Sequence, residues 1–339
     1  MSRYRCVEVL KPGGSLGLAE RELVEPGFGQ VRLVVEACGV CHTDSEFVEG
    51  QLPGLSFPVT PGHEVAGRID AVGAGVRRWR AGDRVTVGWS GGHCGYCDPC
   101  RRGEFVHCEE GYITGATYPG GYAESMVVPA SALARIPEEL SAADAAPMAC
   151  AGVTMFNSLR RSGARAGDLV AILGLGGLGH LGVQFAVKMG FRTAVIARGQ
   201  EKAGLALQLG AHHYIDSTAT DVAAALRELG GARVVQATAA NADAIAGTVD
   251  GLSPYGELLT LAVLADPLAV SPLQLILASK SIKGHPGGTA MDVEDTLNFA
   301  ALHNIRPMVE QVPLDHADAA YQRMLANQAR FRVVLTTDR

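Results

Sequence analysis

The sequence predicts an α/β chain in two parts: a mostly-β, loop-rich first part, then a doubly wound parallel sheet. Three observations predict it. Apolar runs with strand-like alternation, separated by Gly/Pro clusters, fill roughly the first 150 residues. A continuous apolar run, Asp168-Leu169-Val170-Ala171-Ile172-Leu173, leads straight into Gly174-Leu175-Gly176-Gly177-Leu178-Gly179. From there, strand and helix patterns alternate as far as Lys283-Gly284, the signature of a parallel sheet with crossover helices.

In order, residues 4–10 and 31–37 read as strands, with turns marked between them by Pro12, Gly13, Gly14, Gly17, Pro26, Gly27 and Gly29. Short strands follow at 65–69 and 84–87. Ser141 to Arg160 is helical in parts and forms the junction between the two parts. Buried parallel strands read as unbroken apolar runs, as 168–173 does. His180 to Met189 is apolar at helical spacing and ends at Gly190; Thr193 to Ala197 is the next strand. Helices at 205–209, 221–229 and 242–249 then alternate with strands at 213–216, 233–237 and 257–261. A helix through 292–301 and a last strand at 331–335 return to the first part. His212 and His213, without an acidic or cysteine neighbour, read as surface loop residues.

At 339 residues with 47% hydrophobic and 19% charged residues, the chain is globular and long enough for two domains. A net charge of −6 gives no reason to expect nucleic acid or an anionic membrane as partner. The longest apolar run, Leu169 to Gly179, is too short to span a bilayer, and residues 1–8 lack the apolar core of a signal peptide. The expectation is a cytoplasmic protein, in which eight cysteines point to metal or catalysis before disulfides.

Two groups of residues carry chemistry. Gly39-Val40-Cys41-His42-Thr43-Asp44 and Pro61-Gly62-His63-Glu64 each pair a soft metal ligand with an acid. Cys41 and His63 suit zinc, with Asp44 and Glu64 placed to orient the ligands. A catalytic zinc keeps three protein ligands and one open position, and Cys150 is the candidate third. Taken singly, each reads better as a buried small thiol or a core histidine; the three in their local contexts reverse that and favour the metal. Cys94, Cys97, Cys100 and Cys108 have the spacing of a closed Cys₄ structural zinc site. An iron–sulfur cluster is the rival, but its pattern continues x₃-C-P, which is missing here. Cys6 and Cys38 read as buried thiols. The glycine loop follows a strand, opens a helix and returns to a strand within about 30 residues, the dinucleotide-binding fingerprint. Its glycines let backbone N–H groups approach a pyrophosphate at the helix N-terminus.

Together these motifs, with Cys150-Ala151-Gly152-Val153-Thr154 and the Phe331-Arg332-Val333 ending, resemble zinc-dependent alcohol dehydrogenases of the medium-chain dehydrogenase/reductase superfamily along the whole chain. The resemblance implies a GroES-like mostly-β catalytic domain (1–151 and 287–339) carrying a structural zinc lobe, split around a Rossmann domain (152–286), with the active site in the cleft between them. It implies a catalytic zinc on Cys41, His63 and Cys150, Asp44 bonded to the zinc-bound histidine, Glu64 as the nearby acid, and Thr43 as the hydroxyl taking the alcohol proton. His42 and Arg332 match groups near the pyrophosphate, Thr154 a nicotinamide contact, and Leu52 and Trp89 the substrate pocket. Glu46 stands where many members end the proton relay with a histidine.

The expected cofactors are two Zn²⁺ per chain and NADP(H) in preference to NAD(H). An acid about 20 residues past the glycine loop binds the ribose hydroxyls in NAD enzymes. Here Ile196-Ala197-Arg198-Gly199-Gln200 has none, and offers Arg198, with Lys202 beyond it. The expected activity is reversible hydride transfer between a primary or secondary alcohol and NAD(P), in a homodimer or homotetramer. Two other readings are a polyol dehydrogenase, whose ligands often include glutamate, and a non-catalytic nucleotide-binding redox sensor. Cys150 speaks against the first, and the intact set Cys41, His63, Cys150 and Thr43 against the second.

Overall fold

In the computed structural model, which describes residues 2–337, the chain folds as two units, Met1–Cys150 with Gly288–Arg339, and Ala151–Gly287. The first unit begins with an antiparallel ribbon of β1 (Arg3–Glu8) and β2 (Gly17–Glu22). The turn signals of residues 12–29 do not announce β2. Its residues, Gly17-Leu18-Ala19-Glu20-Arg21-Glu22, are almost all exposed, so the alternation that marks a half-buried strand is missing.

Next come β3 (Gln30–Val40), α1 (Asp44–Val48), β4 (Val65–Val72), β5 (Arg84–Val87), α2 (Asp98–Arg101), β6 (Ser125–Pro129), β7 (Leu133–Arg135) and α3 (Ala142–Pro147). A π-helical turn, Met148–Gly152, follows. The second unit holds α4 (Val153–Arg160), β8 (Leu169–Leu173), α5 (Gly179–Lys188), β9 (Arg192–Ala197), α6 (Ala203–Gln208), β10 (His213–Asp216), α7 (Val222–Glu228), β11 (Ala232–Ala237), α8 (Ala242–Ala246), β12 (Leu252–Thr260), α9 (Pro272–Ile276) and β13 (Ser281–Gly284). The chain then re-enters the first unit through α10 (Ala290–His303), β14 (Val309–Pro313), α11 (Ala317–Leu325) and β15 (Arg332–Thr336). Sequence reading anticipates α10 and β15 but not β14 or α11.

Strand β3 is the spine of the first unit. It pairs antiparallel with β4, β6 and β15, and Val31, Leu33 and Val35 face the core. In the second unit all six strands run parallel in the order β10-β9-β8-β11-β12-β13. Numbered within that unit, this is 3-2-1-4-5-6, the doubly wound dinucleotide-binding order. Strand β8 is buried along its full length, as its unbroken apolar run requires. His213 opens β10, as the strand reading of 213–216 expects, while His212 before it is exposed and its Nδ1 accepts the Thr193 N–H at 3.0 Å. No helix among the described residues is long and apolar enough to cross a membrane.

Candidate metal centre and cofactor loop

Strand register brings the first cluster together. Cys38 pairs with Val65 across β3 and β4, and Val65 with Val87 across β4 and β5. Cys41, just past the end of β3, therefore stands at the same sheet end as His63, just before β4, and Trp89, just past β5. Cys150 arrives on the π-helical turn. Gly88 allows that approach, because a Cβ there would collide with the Ala149 carbonyl.

The outcome is four donors, Cys41, His63, Glu64 and Cys150, with their ligating atoms within 4.8 Å of one another. The Cys41 and Cys150 sulfurs are 4.0 Å apart. A tetrahedral zinc with Zn–S near 2.3 Å sets sulfur–sulfur edges of about 3.8 Å, so the spacing fits such an ion. His63 and Asp44 are fully buried. The Asp44 carboxylate meets His63 Nδ1 at 2.8 Å and accepts the Cys41 N–H at 2.9 Å. The other ring atom, His63 Nε2, is buried and has no hydrogen-bond partner. An imidazole fixed at Nδ1 by a carboxylate, with a bare Nε2 among thiols, is the arrangement of a metal ligand.

The electrostatics agree. Burial lowers the His63 pKa, but the charges of Asp44 and Cys41 and the bond to Asp44 outweigh it and raise it to about 10. The field that retains a proton there also favours a cation. A hydrogen bond from Cys150 draws Cys41 well below the usual thiol value against the pull of burial, with help from the charges of Arg332 and His63. Thr43, half-buried, has its hydroxyl 3.7 Å from the Cys41 sulfur. The Trp89 ring stacks on Phe47 at 5.4 Å and meets His63 edge-on at 5.3 Å. Leu52 packs partly buried against the same core.

The Arg332 guanidinium is buried and ion-paired with Glu64, and its Nε has no hydrogen-bond partner. The pairing of Val333 with Val40 brings β15 to this end of β3. Gly39 leaves room for Glu64, since a Cβ there would strike that carboxylate. His42 is exposed.

The second cluster is a surface lobe. Cys94, Cys97, Cys100 and Cys108 have their sulfurs within 4.8 Å of one another; Cys94 lies 4.0 Å from Cys100 and Cys97 3.8 Å from Cys108. These too are tetrahedral-zinc edges. All eight cysteines are free. Short α2 and its caps build the lobe: Cys97 precedes the helix and Cys100 lies in it. Backbone N–H groups point at sulfur, from Cys94 to Cys108 at 3.3 Å and from Cys97 to Cys94 at 3.4 Å. A backbone bond from Cys100 leads the effects that bring Cys97 down to about 7. Cys6 and Cys38 are buried.

In the second unit the glycine loop joins β8 to α5. Gly174 has φ +99°, and a Cβ at Gly179 would collide with the Gly174 carbonyl. The space around Gly176 is open, as close approach of a phosphate requires; Gly177 and Leu178 complete the turn. Lys202 donates to the Leu175 carbonyl at 2.9 Å, so it braces this loop. Arg198 is exposed and Thr154 half-buried. Sequence reading missed Asp216, which ends β10 and accepts bonds from Gly199, Gln200 and Thr218. An acid closing a strand beside the expected ribose position was the available signal. It also missed Tyr122, whose hydroxyl donates to Asp44 at 3.0 Å.

Comparison with known proteins shows the family. Residues 27–138 match the alcohol dehydrogenase GroES-like domain, and residues 177–301 the zinc-binding dehydrogenase family. The chain is 42% identical over 335 residues to alcohol dehydrogenase patD of Penicillium expansum, covering 99% of this chain and 98% of that protein. It is 35% identical to the NADP-dependent alcohol dehydrogenase C of Mycobacterium bovis, covering 99% and 98%. Among solved structures, a cinnamyl alcohol dehydrogenase from Sorghum bicolor superposes with a TM-score of 0.90 at 29% identity, covering 99% of this chain and 98% of that one. The chain belongs to the zinc-type alcohol dehydrogenases of the medium-chain dehydrogenase/reductase superfamily, oxidoreductases acting on small-molecule alcohols or aldehydes.

Proposed function

We propose that this protein is an NADP(H)-preferring, zinc-dependent alcohol dehydrogenase or aldehyde reductase that holds two zinc ions per chain. The catalytic ion belongs to Cys41, His63 and Cys150, and the structural ion to Cys94, Cys97, Cys100 and Cys108. Residues 1–151 with 287–339 serve as the catalytic domain, and residues 152–286 as the cofactor domain. The observation that carries the reading is His63 Nε2, a buried nitrogen without a partner, beside two thiols. An unpaired buried polar atom costs about 1–3 kcal/mol, and a metal at that point removes the cost.

When bound, the catalytic zinc supplies a Lewis acid that polarises the substrate oxygen. The chain's own groups do the rest. Asp44 fixes the His63 ring and its tautomer, and Thr43 takes the alcohol proton and passes it on. Glu64, held by Arg332, tunes the charge around the thiolates. Leu52 and Trp89 bound an apolar pocket. The loop Gly174–Gly179 cradles the pyrophosphate, with His42 and Thr154 as further cofactor contacts.

The NADP preference is supported by Arg198, exposed just past β9, and by Asp216, whose carboxylate is already engaged by the Arg198-Gly199-Gln200 turn and by Thr218. No expected ribose-binding acid stands at the end of β9. The test is absorbance at the reduced-nicotinamide band with a panel of alcohols and aldehydes, both cofactors, and a chelator control. Chelator-sensitive turnover favouring NADP is expected. Chelator-insensitive turnover would overturn the zinc assignment, and a preference for NAD the cofactor assignment.

A further inference from the structure

We propose that Tyr122 is a positioning residue for His63: its hydroxyl fixes the Asp44 carboxylate that orients the imidazole. The inference rests on the reading that Cys41, His63 and Cys150 hold a metal, and it concerns the strength with which that metal is held.

Every bond of the Asp44 carboxylate is accounted for by three elements. One oxygen meets His63 Nδ1; the other accepts the Cys41 N–H and the Tyr122 hydroxyl. The first two partners flank the metal position themselves. Tyr122 alone comes from a segment that bears no ligand. Both Asp44 and Tyr122 are fully buried, so no water competes for the bond and the hydroxyl has one charged acceptor. Burial, reinforced by the Asp44 charge, raises the Tyr122 pKa well above the ordinary 10.0. The hydroxyl stays a neutral donor.

The backbone holds this tyrosine as firmly as its side chain holds Asp44. The Tyr122 N–H donates to Pro61 at 3.0 Å and the Gly121 N–H to Gly62 at 2.8 Å. Gly120 donates to Thr60 at 2.8 Å. The stretch Thr60–Gly62 that leads into His63 is thus zipped to the stretch that carries Tyr122. Gly62 has φ +101°, and a Cβ there would lie 2.5 Å from the Tyr122 ring. The tyrosine therefore fixes both the peptide that carries the histidine and the carboxylate that aims it. Outer partners of metal ligands typically set ten- to a hundredfold in metal affinity. A hydroxyl one step further out belongs at the lower end.

The test is Tyr122→Phe in the full-length zinc-loaded protein, which keeps the ring and removes only the hydroxyl. Zinc release to a chromogenic chelator is followed alongside the visible bands of cobalt-loaded protein, which report coordination geometry. One ion should leave about tenfold faster than in wild type, the other at the wild-type rate, and the cobalt bands should shift. In an Asp44→Asn background the same substitution should change release less than about twofold, because the hydroxyl acts through that carboxylate. Wild-type release with unchanged cobalt bands overturns the inference. So do effects that add in the double variant, or loss of both ions together, since these report a merely structural tyrosine. If His63→Ala releases zinc no faster than wild type, the metal reading itself fails and the inference falls with it.

Discussion

The two donor clusters are built in opposite ways. The four cysteines of the lobe come from fifteen consecutive residues, Cys94 to Cys108, and are closed by short turns and a four-residue helix. The set Cys41, His63, Glu64 and Cys150 comes from three distant segments that meet only because β3, β4 and the π-helical turn share one sheet end. One cluster is four thiols, two of them buried and two half-buried. The other mixes thiols, an imidazole and a carboxylate, with three of its four residues buried. A local, uniform thiol set suits an ion that ties a loop. A non-local mixed set, held by a ready-made core, suits an ion with a position left for chemistry.

If this contrast is right, damage to the two clusters should separate. The largest effect is expected from Cys150→Ser: turnover falls by about a thousandfold or more, equivalent to about 4 kcal/mol of transition-state stabilisation, while the melting temperature changes little. In Cys94→Ser the order reverses. Loss of the lobe ion should lower the melting temperature by roughly 10 °C, on the scale of about 2–4 °C per kcal/mol for a chain of this size, with turnover of the surviving folded protein within about threefold. Calorimetry and single-turnover rates on both variants decide it; equal damage to both properties in both proteins would erase the distinction.

Glycines sharpen the comparison without touching a ligand. Gly39→Ala forces a Cβ into the Glu64 carboxylate, and activity should fall about ten- to a hundredfold through the displaced Glu64–Arg332 pair. Gly95→Ala in the lobe meets nothing within 4 Å, but sits at φ +82°. It should cost about 1 kcal/mol of stability and no activity. Urea melts and kcat/KM for the pair read the difference.

These contrasts also explain what was legible in advance. The lobe could be read from spacing alone, because every distance that matters is set within a few peptide bonds. Cys41, His63 and Cys150 could be nominated from their local motifs. Their meeting could not be read, since the register of Cys38 on Val65 and of Val333 on Val40 is written in no single stretch. For the same reason the pairing of Arg332 with Glu64 could not be read in advance, and Tyr122 carries no signal at all. The doubly wound sheet was legible because each buried parallel strand announces itself as an apolar run. Strand β2, exposed and without apolar alternation, announces nothing.

The smallest effect is expected far from both clusters. Arg198→Ala should reduce the kcat/KM preference for NADP over NAD by about tenfold, the low end for a charge-assisted contact of about 1.5–3 kcal/mol. Metal content and melting temperature should not move. A wild type favouring NAD, with an unchanged ratio in the variant, would remove Arg198 from the cofactor site.

The most direct measurement is elemental analysis of the freshly purified protein and two double variants, Cys41→Ser/Cys150→Ser and Cys97→Ser/Cys100→Ser. The account predicts two zinc ions per chain in the wild type and one in each variant. The first variant should be folded and inactive, the second active but thermally weak. About one zinc ion in fully active wild type, or a first variant that keeps both, would contradict it.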